Sequence, residues 1–241
     1  MVRLEEHKHE TENKVIEKLP LPSKVYIPLS QHVGKLCSPE VKTGDSVSCG
    51  QMIASIEAHV YAPIHASISG KVISIQDWPQ PVLGRCKAIV IENDGMDRVA
   101  GYPDTRVPGY PDSGVSAEAE KLTPEQICNI VFEAGIVGMG GAGFPTHIKL
   151  SPPKPVDTLI INGAECEPYL TGDYRLMLEK TKEILEGIKL VAKCLGVNKV
   201  YIAIEDNKPK AIEAFGSVIG YRLSVIGRTP NTEHRTPIKL V

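Results

Sequence analysis

Two near-copies of one tetrapeptide, Gly101-Tyr102-Pro103-Asp104 and Gly109-Tyr110-Pro111-Asp112, stand near the middle of the chain, and the hydrophobic pattern changes across them. Pro and Gly at that density interrupt helix and strand alike, so residues 101–122 read as a linker between two folded regions. Upstream, short apolar segments at 24–28, 52–57, 70–75 and 88–92 alternate with Gly, Pro and Asp turn signals, the pattern of a small β-sandwich or barrel. Downstream, Thr123-Pro124-Glu125-Gln126 offers a capping Thr, a Pro at the first helical position and a Gln three residues after the cap. That combination predicts a helix running to about Ala134. A strand over 158–161, a long amphipathic helix over 175–195 stopped by Gly196, a strand over 199–204 and a helix over 208–215 follow. Strands alternating with helices predict right-handed crossovers and a parallel sheet.

The bulk properties narrow the function classes. At 241 residues, one medium and one small domain are the natural expectation. A formal net charge of −2 indicates no basic groove, so no nucleic-acid partner is expected. No apolar run reaches the roughly 18 to 20 residues that span a bilayer, and Met1 to Glu10 is charged with no apolar stretch behind it. The expected location is cytoplasmic, peripheral on the membrane. Cys37, Cys49, Cys86, Cys128, Cys166 and Cys194 include no pair at the two-residue spacing of zinc or iron–sulfur sites, so they read as reduced thiols.

Two loops carry the chemistry. Gly138, Gly140, Gly141 and Gly143 are four glycines in six positions, and Lys149 follows within a turn or so. Backbone without Cβ atoms can adopt positive φ and bring its N–H groups against a phosphate or a ring edge, and the Lys adds positive charge. This is not the G-x-G-x-x-G dinucleotide signature, which links a first strand to a helix with an acidic residue some 20 positions on. The second loop follows the strand at 158–161 and reads Asn162-Gly163-Ala164-Glu165-Cys166-Glu167-Pro168-Tyr169. In an open α/β sheet, ligands bind at the carboxyl ends of the strands, where this loop should emerge. Two carboxylates one residue apart can accept hydrogen bonds from ribose hydroxyls or a carboxamide. His32 and His65 read as imidazoles bonded in turns.

These motifs carry a family resemblance. Val41 to Ala54, with its Gly44-Asp45 turn, and its counterpart Ala62 to Val72 resemble the barrel-sandwich fold of biotinyl and lipoyl carriers. The hairpin between the halves, 55–62, has no Lys to carry such a group, which makes a swinging arm the weaker reading. Pro28 to Gly34, reading Pro-Leu-Ser-Gln-His-Val-Gly, together with Pro63-Ile64-His65-Ala66, resembles the RnfC component of the Rnf electron transport complex, an ion-translocating ferredoxin:NAD oxidoreductase. The Gly-rich and acidic loops together resemble the flavin-binding subunit of respiratory complex I and its relatives. Met139 and Ala164 stand where the complex I pattern has Arg and Asp, and Ala164 fits the Rnf branch better.

The resemblance implies an α+β multidomain chain. Its expected parts are an N-terminal extension (1–28), a barrel-sandwich hybrid (29–100), the linker (101–122), an incomplete α/β flavin domain with a mainly parallel sheet (123–215) and an unassigned tail (216–241). It implies that Gly138, Gly140, Gly141, Gly143 and Lys149 hold flavin mononucleotide (FMN), that Asn162 and Glu165 orient its ring, and that Glu167 helps position the nicotinamide of NADH. No residue is expected to be catalytic in its own right, and none to bind metal. Expected partners are the other subunits of a membrane electron-transport complex, NADH, and ferredoxin indirectly. The family's two four-cysteine [4Fe–4S] motifs have no counterpart here, so the chain reads as C-terminally truncated, with activity alone not expected. Two rivals are the component of the sodium-pumping NADH:quinone reductase that resembles the same two domains, and a non-catalytic docking module.

Overall fold

The computed structural model describes residues 5–96, 121–139, 141–219 and 238–240. They fall into two compact units, one built from 19–96 and 125–151 and the other from 5–18, 121–124, 152–219 and 238–240. The expected linker lies outside the described residues except for Lys121 and Leu122. The boundaries thus differ from the expected domains, because the helix after the linker groups with the barrel and the N-terminal segment groups with the α/β unit.

The first unit is a sandwich of two antiparallel sheets. Strands β1 (Lys24–Pro28), β7 (Gly84–Asn93), β6 (Gly70–Gln80) and β3 (Ser46–Val47) form one, in the order β1-β7-β6-β3. Strands β2 (Ser38–Pro39), β4 (Met52–Ser55) and β5 (Ile64–His65) form the other, in the order β2-β4-β5. Branched side chains from both sheets fill the space between them: Val47, Val72, Ile89 and Ile91 from one, Ile53 and Ile64 from the other. Such residues suit a pleated, buried surface. The expected strand at 70–75 extends to Gln80 and the one at 88–92 begins at Gly84. The polar run Gln76 to Gln80 gives no hydrophobic signal, but its ladder to β7 is continuous and Trp78 stacks on Tyr26 at 3.8 Å between ring centroids.

Helix α1 (Pro124–Glu133) lies close to its expected span. It ends at Gly135, whose φ of +66° lets the chain turn against the barrel. A Cβ at Gly135 would run into the Pro63 carbonyl oxygen, and Phe132 meets Tyr61 edge-on at 5.2 Å. The close approach of α1 to the β5 end therefore depends on a residue without a side chain.

In the second unit, β10 (Ile238–Leu240), β9 (Lys199–Ala203) and β8 (Thr158–Asn162) form a sheet in that order, with both pairings parallel. Strand β10 comes from the stretch left unassigned by sequence. The expected helix at 175–195 is two, α3 (Gly172–Glu179) and α4 (Thr181–Leu195), broken at Lys180. Thr181 turns its hydroxyl back onto the Met177 carbonyl at 2.6 Å, the local side-chain to backbone bond by which Thr competes with regular helix. Helix α5 (Pro209–Ile219) completes the unit, and Phe215, Ala211, Met177, Leu185 and Ile188 pack onto Val200 and Ile202 of β9.

Candidate functional site

The Gly-rich loop belongs to the barrel unit and is pinned at both ends. Val137 and Pro145 form an antiparallel bridge, the Gly138 amide donates to the Phe144 carbonyl at 2.9 Å and the Thr146 amide to the Ile136 carbonyl at 3.0 Å. At its far side the Gly143 carbonyl accepts from the Val33 amide at 3.1 Å, so the Gln-His-Val-Gly segment and the Gly-rich loop meet. Gly143 has φ +66°, and a Cβ there would lie 3.0 Å from the Gln31 carbonyl oxygen and 3.2 Å from the His32 Cα. Gly141 is different: a Cβ there would meet nothing within 4 Å. Gly140 lies outside the described residues. Between the pinned ends the loop faces solvent, with Met139 93% exposed.

The structure brings Lys149 to this loop. Its Nζ lies 3.0 Å from where a Cβ on Gly138 would sit, so the ammonium rests on the bare face of that glycine. Short helix α2 (Thr146–Lys149) carries it there. The surrounding imidazoles bring no charge of their own. Burial holds His32, His65 and His147 below the ordinary imidazole range, against a backbone hydrogen bond that pulls upward at His32 and at His65. His32 Nε2 and His147 Nδ1 are buried ring nitrogens without a partner, and both residues lie in the segments that hold the loop. An anion beside Gly138 and Lys149 would thus see one ammonium and neutral neighbours. The arrangement fits the phosphate end of a flavin nucleotide.

The acidic loop emerges from the carboxyl end of β8 in the α/β unit. Asn162 is exposed and its side-chain oxygen accepts from the Ala164 amide at 3.0 Å, folding the strand end into a tight turn. Gly163 then fits where nothing larger could, since a Cβ would stand 2.8 Å from the Ala203 carbonyl and 3.1 Å from Met177 Sδ. Glu167 is exposed and open to a ligand's hydroxyl or amide donors. Glu165 is not. It is 2% exposed, one carboxylate oxygen accepts from the Asp173 amide at the start of α3 at 2.8 Å, and the other lies 3.7 Å from Lys8 Nζ. The sequence led us to expect a carboxylate turned to a flavin ring, whereas here it caps a helix and meets a buried cation. A helix N-terminus favours negative charge, which is the physical reason for that orientation.

Several residues of this loop escaped the sequence reading. Lys8 comes from a segment expected only as an N-terminal extension. The Glu205 carboxylate, from the loop after β9, accepts from the Glu165 amide at 3.3 Å. Tyr169 adopts φ +65°, a left-handed conformation uncommon for a bulky residue. The signal for Glu205 was available, because Ile204-Glu205-Asp206-Asn207 leaves the carboxyl end of a parallel strand as the acidic loop does. For Lys8, 157 positions from its partner, the local sequence holds none. All six cysteines are free thiols, and among the described residues no three His, Cys, Asp or Glu side chains converge as a metal site. Nor, among those residues, is any helix long and apolar enough to cross a membrane.

A β-sandwich followed by a parallel α/β unit with a Gly-rich loop and an acidic loop defines the class: a barrel-sandwich domain joined to an FMN-binding type of domain. Comparison with known families agrees. Residues 2–96 match the RnfC barrel-sandwich hybrid domain, and residues 131–225 match the Nuo51 FMN-binding domain. The chain is 49% identical over 230 residues to the RnfC-type component of the proton-translocating ferredoxin:NAD(+) oxidoreductase complex of Clostridium ljungdahlii, covering 94% of this chain and 48% of that protein. It is 44% identical over 201 residues to the corresponding component of the Na(+)-translocating ferredoxin:NAD(+) oxidoreductase complex of Acetobacterium woodii, covering 83% and 43%. It is 43% identical over 229 residues to that of the ion-translocating oxidoreductase complex of Rhodobacter capsulatus, covering 92% and 42%. The chain therefore belongs to the RnfC family of electron-transport proteins, and it spans a little under half the length of these relatives.

Proposed function

We propose that this chain supplies the flavin-holding part of a peripheral subunit in a membrane-bound, ion-translocating complex that moves electrons between NADH and ferredoxin. The observation that carries this reading is Lys149 resting on Gly138 in a loop pinned at both ends, within the stretch that matches an FMN-binding domain. Gly138, Gly140, Gly141, Gly143 and Lys149 would hold the FMN phosphate. Asn162 and Glu167 are the exposed polar groups of the acidic loop suited to ring and nicotinamide, and Glu165 holds that loop in shape. Bound flavin supplies a two-electron acceptor for hydride from NADH that can pass electrons on singly, which iron–sulfur centres elsewhere in such a complex would receive. The protein's part is to bind, orient and exclude water. Its other partners would be the remaining subunits, on the cytoplasmic face of the membrane.

The test is FMN titration of the purified chain, followed by quenching of flavin fluorescence, beside Lys149→Ala and Glu167→Gln. Loss of the charge-assisted contact should weaken binding about tenfold or more in Lys149→Ala. Glu167→Gln should bind FMN nearly as well but weaken NADH at the flavin-loaded chain. Equal affinity in Lys149→Ala and the parent, or no uptake by the parent, would sink the reading.

A further inference from the structure

The N-terminal segment is bound along the acidic loop contact by contact. The Glu6 carbonyl accepts from the Tyr169 amide at 2.7 Å, and the His7 ring stacks on Tyr169 at 4.7 Å. Lys8 donates to the carbonyls of Glu165 and Leu170. The Thr11 hydroxyl donates to the Tyr169 carbonyl at 3.2 Å and accepts from the Thr171 hydroxyl at 2.9 Å. Farther on, Arg175 donates to the Glu12 carbonyl at 3.1 Å and Glu179 accepts from the Ile16 amide at 3.1 Å. Tyr169 is thus held in its left-handed conformation from both sides by a segment about 160 positions away.

Lys8 is the centre of this contact. It is 5% exposed and Glu165 is 2% exposed, so both charges have left water. Desolvating an ammonium and a carboxylate costs several kcal/mol each unless they pair and find further partners. Two carbonyls serve the ammonium, while one carboxylate oxygen has the Asp173 amide and the other only the ion pair. Burying one of these groups without its partner would therefore open the loop.

We propose that Lys8 is a positioning residue of the nucleotide site. By pairing with Glu165 it locks that carboxylate inward as the cap of α3, fixes residues 163–171, and leaves Glu167 as the carboxylate offered to the nucleotide. The inference rests on the flavin reading for the ligand, but the lock stands on its own geometry.

The experiment is a double-mutant cycle in the full chain: Lys8→Met, Glu165→Gln and both together, each followed by amide hydrogen exchange and FMN affinity. Lys8→Met should speed exchange at Tyr169 and Asp173 by about tenfold or more, since it strands a buried charge, while β9 and α5 keep their protection. It should weaken FMN binding in parallel. Adding Glu165→Gln should restore much of both losses, because a neutral amide oxygen can still accept from the Asp173 amide and no unpaired charge remains. Thr11→Val is the milder variant if Lys8→Met folds poorly, with a smaller effect in the same direction. Unchanged exchange at Tyr169 and Asp173, or additive effects with no rescue, would overturn the lock. Faster exchange with unaltered FMN affinity would make Lys8 structural only and overturn its positioning role. If the parent chain takes up no FMN, the flavin reading falls while the exchange arm still decides the lock.

Discussion

Gly138 and Gly143 belong to one loop yet carry different constraints, and substitution should separate them. A Cβ on Gly143 meets backbone, the Gln31 carbonyl and the His32 Cα, at a residue with φ +66°. Neither neighbour can step aside. Gly143→Ala should lose about 1–2 kcal/mol to the left-handed backbone and about 1–3 kcal/mol to overpacking, read as a lower urea midpoint. A Cβ on Gly138 meets only the far end of Lys149. That variant should keep its stability to within about 0.5 kcal/mol and lose FMN affinity, since the ammonium must move. If Gly138→Ala unfolds the chain or binds FMN as before, the assignment of Lys149 is wrong. The thiols divide in the same way. Burial, with Glu40 nearby, pushes Cys37 up to about 11, whereas Cys166 is exposed in the acidic loop. At pH 8 a thiol reagent should modify Cys166 in the folded chain and spare Cys37 until the protein unfolds, and mass spectrometry of the labelled peptides checks it.

Elements were more legible in the sequence than their allegiance. Alternation of branched residues at Lys24 to Pro28 and the capping signals before Glu125 locate β1 and α1 well, because periodicity and caps are local. What packs against what is decided by groups far apart in sequence. The side of the linker on which α1 starts says nothing of Gly135 fitting against Pro63 and His65, or of Phe132 meeting Tyr61. Lys8 is the same lesson at the candidate site: both loops could be picked out from their residue types, but not the cation that closes one of them. The break at Lys180 was missed because an amphipathic pattern continues across it while the Thr181 hydroxyl turns back. At this scale Gly135→Ala is the informative change. Its Cβ would strike the Pro63 carbonyl and approach His65 Nδ1 to 3.0 Å, so α1 should separate from the barrel. We expect about 2–4 kcal/mol of destabilisation, with loss of hydrogen-exchange protection over 125–133 before the β6–β7 hairpin. Simultaneous loss in both would show that α1 is not an independent step.

Across the whole molecule the chain passes from one unit to the other between Lys18 and Leu19, Pro124 and Glu125, and Ser151 and Pro152, so neither unit is a continuous stretch. Their titratable groups nonetheless differ, which lets acid tell them apart. His32, His65 and His147, all in the barrel unit, have folded values held below 6.5 chiefly by burial. The unfolded chain binds those protons more readily, so their contribution is full above pH 6.5 and is lost as pH falls through the folded values. In the α/β unit the depressed groups are Glu179 and Glu183, lowered from 4.5 first by side-chain hydrogen bonds from Arg175 and Lys180. What they add is present above pH 4.5 and goes only below it, and both are exposed enough for solvent to screen them. Acid should therefore loosen the barrel unit first. Amide exchange stepped from pH 7.5 to about pH 5, corrected for intrinsic rates, should show protection falling in β1, β6 and β7 while β8, β9 and α4 hold. Replacing the three histidines by Gln should flatten that fall. If the α/β strands lose protection first, or the triple variant keeps the same acid profile, the buried imidazoles are not what makes the barrel acid-sensitive.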